Sequence, residues 1–242
     1  MFSFLIFYIY LITDYNTADV KKQHSATNLQ EKEVDGMKKI ICIGREYGSG
    51  GREIGEKLSR TLGIPCYDKL LIKKAALESG LSSDFISKKE ESPINSIQFL
   101  SGNPYADIAS IGNTFYSESQ MAYTAEEDVI KKISKQGPCV IIGRCASSII
   151  PKEEQLSVFI YADEDSKIRR VMKRNQINEK EAAHRIKHIN RMRKHFFDFY
   201  SETAWGQPES YDMMLSSSKL GTDGCVNVII NSLKEMEEKG NE

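Results

Sequence analysis

Ile40-Ile41-Cys42-Ile43-Gly44-Arg45-Glu46-Tyr47-Gly48-Ser49-Gly50-Gly51-Arg52-Glu53-Ile54-Gly55 is the stretch from which the fold is read. The apolar run Ile40 to Ile43 predicts a buried strand. A glycine-rich turn follows. Ile54, Leu58 and Leu62 then recur at helical spacing until Gly63 stops the run. Strand, glycine turn and helix N-terminus in that order make a cradle for an anion. Glycines let main-chain N–H groups approach closely, and the unsatisfied first-turn amides favour negative charge.

The phosphate-loop pattern G-x-x-x-x-G-K-[ST] is met only in its main-chain half. With Gly50 as the second glycine, Arg45 holds the position of the first, Gly51 that of the lysine and Arg52 that of the Ser/Thr. Arg45, Gly48, Ser49, Gly50, Gly51, Arg52 and Glu53 are the candidate residues of the cradle. A bare G-S-G-G also occurs in ordinary turns, so a strand-to-helix connection without a ligand stands beside this reading.

Working outward, the chain has 242 residues, room for one large α/β domain or two small ones. Hydrophobic residues make up 40%, enough for a packed core. The 33 basic and 34 acidic residues nearly cancel, which argues against a general nucleic-acid-binding surface. Five scattered cysteines form no C-x-x-C pair, so no zinc site or disulfide framework is expected, and a reducing cytoplasm fits. Met1 to Ile12 is apolar but shorter than the ~20 residues of a membrane span. It lacks the basic flank of a secretion signal. Residues 1–36 are expected to be a disordered or artefactual extension, with Met37 the functional start and no membrane association; a membrane anchor is the weaker alternative.

Beyond Gly63, Ile64-Pro65-Cys66-Tyr67-Asp68 is short and extended. Ligands of an open parallel sheet gather at the carboxyl ends of strands. Asp68 is therefore either a group that orients a substrate or the N-cap of a helix starting at Lys69. Residues 69–125 read as an insertion of mixed polarity, the kind that closes over a second substrate. A helical pattern returns from about Ser117 to Gln136. Cys139 to Ile142 is a second buried strand that ends on Gly143-Arg144-Cys145, and Arg144 suits a bidentate grip on phosphate. A surface salt bridge is the plainer reading of Arg144.

Leu156 to Tyr161 is a third strand, and Ala162-Asp163-Glu164-Asp165 opens a helix with acids in its first turn. A basic tract follows, from Lys167 to Lys194. Its second part starts a separate helix at Asn178. There Arg185, Arg191 and Arg193 recur where a lid would hang over the phosphate loop, and arginines neutralise a transferring phosphoryl group. The aromatic residues from Phe196 to Tyr200 pack the base of that lid or stack on a ring. Tyr211 to Ser218 is read as a last strand and turn, and Cys225 to Leu233 as the start of a closing helix. Buried strands alternating with helices imply a parallel sheet covered on both faces.

Arg45 to Gly55, Pro65-Cys66-Tyr67-Asp68, Gly143-Arg144-Cys145-Ala146, Trp205-Gly206 and Tyr211-Asp212 together resemble the bacterial cytidylate kinase-like family, over about residues 38–233. The resemblance implies a P-loop kinase-type three-layer sandwich. Its five-stranded parallel sheet carries helices on both faces, an acceptor-binding insertion at about 69–125 and a helical lid at about 174–208, all within 37–242. It implies transfer of the γ-phosphoryl group of ATP to CMP or dCMP, with Mg2+ as cofactor and small-molecule nucleotides as partners. By the same likeness Gly48 to Gly51 cradle the donor phosphates and Arg144 holds the acceptor monophosphate. Asn190 and Arg193 match an Asp-x-x-Arg pair of the lid. Cys145 and Asn190 stand where the family pattern has aspartates. Arg52, Asp68, Arg185, Arg191 and Arg193 are the expected catalytic set. Asp68, Arg144, Asn190 and Arg193 are the expected acceptor set. A nucleotide-binding module without turnover and a kinase for another acceptor are the rival expectations.

Overall fold

Apolar residues predominate in the central strands because both faces of the sheet are covered. The computed structural model describes residues 39–68, 120 and 123–239. The extension 1–36, most of the expected insertion and the helix expected from Lys69 lie outside them. Five strands are present: β1 (Ile40–Arg45), β2 (Cys66–Tyr67), β3 (Val140–Ile142), β4 (Gln155–Tyr161) and β5 (Met213–Ser216). They form one parallel sheet in the order β2-β3-β1-β4-β5. Ile41 stands opposite Val140 on one side and Leu156 on the other.

Side chains alternate across this sheet, as the pleat requires. Ile40, Cys42 and Ile141 join a core with Val129, Ile130 and Ile133 of helix α2 (123–134) and with Ala146 of the short α3 (Ala146–Ile149). Ile43 and Ile142 face the other way, against Gly55 of α1 (Gly51–Leu62). Helix α6 (Ser217–Lys239) packs beside α1 on that face. Helices α4 (Glu164–Asn175) and α5 (Glu179–Tyr200) join through Val171, Ala182 and Ile186. Among the described residues no helix is long and apolar enough to cross a membrane.

Local chemistry sets several boundaries. The Asp163 carboxylate accepts from the Ser166 N–H, and Asn178 accepts from Glu181 N–H; these are the N-caps of α4 and α5. Gly63 closes α1 in the left-handed conformation at φ 65°. The last helix starts earlier than expected, at Ser217 rather than Cys225, and is interrupted at Gly221. The reason is tertiary, because Ser217 Oγ donates to the carbonyl of Ser49 and so brings the end of β5 down on the glycine turn. Tyr211 and Asp212 precede β5 rather than opening it.

Asp212 ties the sheet edge instead. Its Oδ2 accepts from both the N–H and the Oγ of Ser157 at 2.7 Å. Ser157 is buried, so Asp212→Ala strands two donors. A loss of about 1–2 kcal/mol is expected, read as a fall in Tm of about 2–8 °C. An unchanged Tm would show that this carboxylate does not hold the β4–β5 edge.

Candidate active site

Three strands whose ends meet at the switch in strand order build the site. β1 lies between β3 and β4, so the segments leaving β1 and β3 open over one crevice. The turn after β1 is held from several sides. Glu46 N–H donates to the carbonyl of Ile160 at 3.0 Å. The Glu46 carboxylate accepts from Ala162 N–H and pairs with Lys167, each at 3.2 Å. Tyr47 N–H donates to Asn190 Oδ1 at 2.6 Å. Arg170 Nη1 donates to the carbonyl of Gly48 at 2.6 Å.

Gly48 and Gly50 adopt φ of 85° and 81°, conformations that side-chain-bearing residues rarely hold. The Ser49 side chain turns inward. It is fully buried, donates to the Glu46 carbonyl at 2.9 Å and lies 3.4 Å from Gly51 N–H. Ser49 therefore shapes the turn from within. Helix α1 begins immediately after Gly50, which has no side chain to cap it; of the first-turn amides, Gly51 N–H donates to Ser49 Oγ. A helix N-terminus beside glycines is the physical condition for anion binding. Glu53 contributes only main chain here. Its carboxylate faces away, accepting from Thr222 Oγ1 at 3.1 Å and pairing with Lys57 at 3.2 Å.

Next to this turn, arginines from four parts of the chain converge. Arg45 at the end of β1 lies 3.7 Å from Asp68 Oδ1, and Arg52 in α1 lies 3.6 Å from Asp68 Oδ2. Arg193 of α5 donates to the Arg45 carbonyl at 3.0 Å, with its guanidinium 5.6 Å from the centre of the Tyr47 ring. Arg144, just past β3, lies 3.5 Å from Glu126 Oε1 of α2. The Arg45 guanidinium fills the space where a Cβ on Gly143 would sit, so a side chain there would displace Arg45 and be strained at φ 79°. Gly143, Arg144 and Cys145 are all left-handed, at φ 79°, 61° and 52°. Two non-glycine residues in that region represent strain concentrated at a site.

The arginine side chains are deeply placed: those of Arg144 and Arg45 are 11% and 19% exposed. Burial lowers Arg144 to about 9, and the charge of Arg45 pushes the same way while Asp68 opposes it. Burial also brings Arg193 well below the usual arginine range, again with Arg45 adding to the effect. Arg45 is lowered by its own burial, against the pull of Asp68. The surface salt bridge offered for Arg144 does not hold; the pair with Glu126 is buried. Clustered, desolvated cations of one sign are costly unless an anion completes them. The crevice is thus lined by cations beside the N-terminus of α1.

The sequence profile of the cytidylate kinase-like family matches residues 40–219. The chain belongs to the cytidylate kinase-like family. Among solved structures it is similar to an uncharacterized protein from Eubacterium ventriosum, at 27% identity and a TM-score of 0.58, covering 81% of this chain and 98% of that one. It is also similar to a shikimate kinase from Acinetobacter baumannii in complex with shikimate, at 12% identity and a TM-score of 0.47, covering 84% and 97%. No protein of curated function matches the chain significantly. Membership in a kinase-like family, on a five-stranded parallel α/β sheet, supports a phosphotransferase.

Asn190 and Arg193, the two residues expected to form a lid pair, both lie on α5. Asn190 grips the Tyr47 N–H and so steadies the turn, while Arg193 reaches the pocket. Ile186, Asn190, Arg193 and Phe197 follow one face of α5. Arg185 and Arg191 fall off that face and are exposed, so the structure does not bring them to the pocket.

Three residues enter the site without having been singled out from the sequence. Lys167, Arg170 and Arg174 recur at spacings of three and four on α4 and meet the turn; Arg174 lies 4.7 Å from the centre of the Tyr47 ring. Helical phasing of the basic tract carries that signal. Glu126 is a fourth, marked in the sequence only as an acid on the apolar face of a helix.

Among the described residues no three His, Cys, Asp or Glu side chains converge as metal ligands. Arg52 holds the Ser/Thr position of the loop, and Asp68 lies between two arginines. These residues do not fit a protein-held magnesium ion, and no ligand is assigned to one.

Proposed function

We propose that the chain transfers the γ-phosphoryl group of ATP to a nucleoside monophosphate, with CMP and dCMP the first acceptors to test. The observation that carries this is the cluster of half-buried guanidiniums, Arg45, Arg144 and Arg193, gathered beside the start of α1, with Asp68 against Arg45 and Glu126 against Arg144. Arg45 and Arg52 border both the turn and the pocket, which suits two phosphate groups brought close together. The turn Gly48 to Arg52, with Arg170 over it, would take the donor phosphates. Arg144 and Arg193 would take the acceptor phosphate.

An ionised acceptor phosphate is already a nucleophile, so the reaction asks for no general base. Positioning and neutralisation of charge supply the rate. Asp68 then acts by setting the Arg45 and Arg52 guanidiniums rather than by removing a proton. The glycine in the lysine position motivates a second reading, a nucleotide-binding module without turnover.

ADP release measured with ATP, Mg2+ and a panel of CMP, dCMP, UMP, AMP and GMP separates the two. Release that depends on a monophosphate is the expected result. Saturable ATP binding with no release on any acceptor would favour the binding module instead.

A further inference from the structure

Glu126 stands on the face of α2 that packs toward the sheet, three residues after Tyr123 and three before Val129. Val129, Ile130 and Ile133 on that face are at most 1% exposed, and Glu126 itself is 2% exposed. An apolar side chain would fill this position without desolvating a charge. Glu126 Oε1 lies 3.5 Å from Arg144 Nη1, within ion-pair range, yet among the described residues it makes no hydrogen bond. Burial raises its carboxyl while the Arg144 guanidinium 3.5 Å away favours the ionised form, so the group is held in a costly place for a reason other than packing.

That reason is its neighbour. Arg144 carries a long, many-rotamer side chain into a pocket where Arg45 repels it. A carboxylate fixed on a rigid helix favours one placement of the guanidinium out of many. We propose that Glu126 is a positioning residue of the acceptor site, its carboxylate holding the Arg144 fork in the orientation that grips an acceptor's phosphate. The inference rests on the acceptor role given to Arg144 above.

Cys145 supplies a way to test the role apart from the residue. It is 4% exposed, adopts φ 52°, and its thiol is raised by burial and then by the charge of Glu126, while Arg144 opposes the rise. A carboxylate moved from 126 to 145 therefore stays beside the same guanidinium. Aspartate tolerates the left-handed conformation better than most residues.

Calorimetric titration of the full chain with CMP and, separately, with ATP is compared for the parent, E126Q, E126D and the E126Q/C145D double variant, with Tm recorded for each. E126Q is expected to weaken CMP ~10-fold and ATP less than ~2-fold, with Tm not lowered, since only the pair with one arginine is lost. The double variant is expected to return CMP to within ~3-fold of the parent, the carboxylate again being beside Arg144. E126D should lie between the parent and E126Q, and it decides the matter if the double variant does not fold. CMP binding unchanged in E126Q overturns the proposal. So does equal weakening of both ligands with a lowered Tm, or a folded double variant that fails to recover CMP. If the parent binds none of CMP, dCMP, UMP, AMP and GMP, the acceptor reading itself fails and this inference falls with it.

Discussion

Arg144→Ala is expected to raise KM for the acceptor monophosphate ~30–150-fold while leaving KM for ATP within ~3-fold. The figure follows from losing a charge-assisted, two-pronged contact worth about 2–3 kcal/mol. The asymmetry follows from placement: Arg144 leaves β3 on the Asp68 and Glu126 side of the crevice, whereas the glycine turn and Arg170 lie along α1 and α4. Arg144→Lys serves as the control. It keeps the charge and the left-handed backbone but replaces the planar fork with a point donor, so it should recover only part of the affinity. The Glu126 carboxyl left unpaired by Arg144→Ala is raised by burial, and its protonation then relieves the pocket of an unpaired charge. Pre-steady-state binding of each ligand checks the split. Equal losses for ATP and the acceptor would mean that Arg144 supports the whole crevice rather than one ligand.

The strands were legible because a parallel sheet covered on both faces has no need of polar alternation. Ile40 to Ile43, Val140 to Ile142 and the middle of β4 read as plain apolar runs and are buried as such. The glycine turn was legible for a different reason, since Gly48 and Gly50 occupy φ values that few other residues hold. The end of β5 was not, because Ser217 starts α6 through a bond to Ser49 more than a hundred residues away. The arginine pocket lies between these cases. Arg144 was marked by its place after a buried strand. Arg45 read only as a substitute in a motif, although its guanidinium fills the space over Gly143.

Arg193, Arg185 and Arg191 show the limit most clearly. All three sit in one basic tract, and only the phase of α5, set by the burial of Ala182, Ile186 and Phe197, decides which of them turns inward. The left-handed run from Gly143 to Cys145 left no mark at all, since neither arginine nor cysteine is a usual choice there. Such strain just past the end of β3 is what local sequence rules fail on, because the surrounding contacts and not the residues themselves impose it.

Gly50→Val is expected to abolish measurable ATP binding, a loss of ~100-fold or more, while the acceptor monophosphate still binds. Gly50 holds φ 81°, and a Cβ there would lie 3.3 Å from the Arg170 guanidinium carbon and 3.4 Å from Thr222 Cγ2. A β-branched side chain adds both local strain of about 1–2 kcal/mol and a demand that Arg170 move off the turn. The fold should survive, because that strain is small beside the 5–15 kcal/mol that typically holds a domain of this kind. Far-UV circular dichroism and Tm check this. Gly50→Ala separates the two effects: it keeps the backbone strain with a single methyl to accommodate, so it should lose ATP affinity by an intermediate factor. Placing the donor on the main-chain amides at the start of α1, without a lysine in the loop, makes that backbone indispensable. A folded Gly50→Val variant that binds ATP as the parent does would show that the triphosphate rests elsewhere, and would remove the donor half of the proposed reaction.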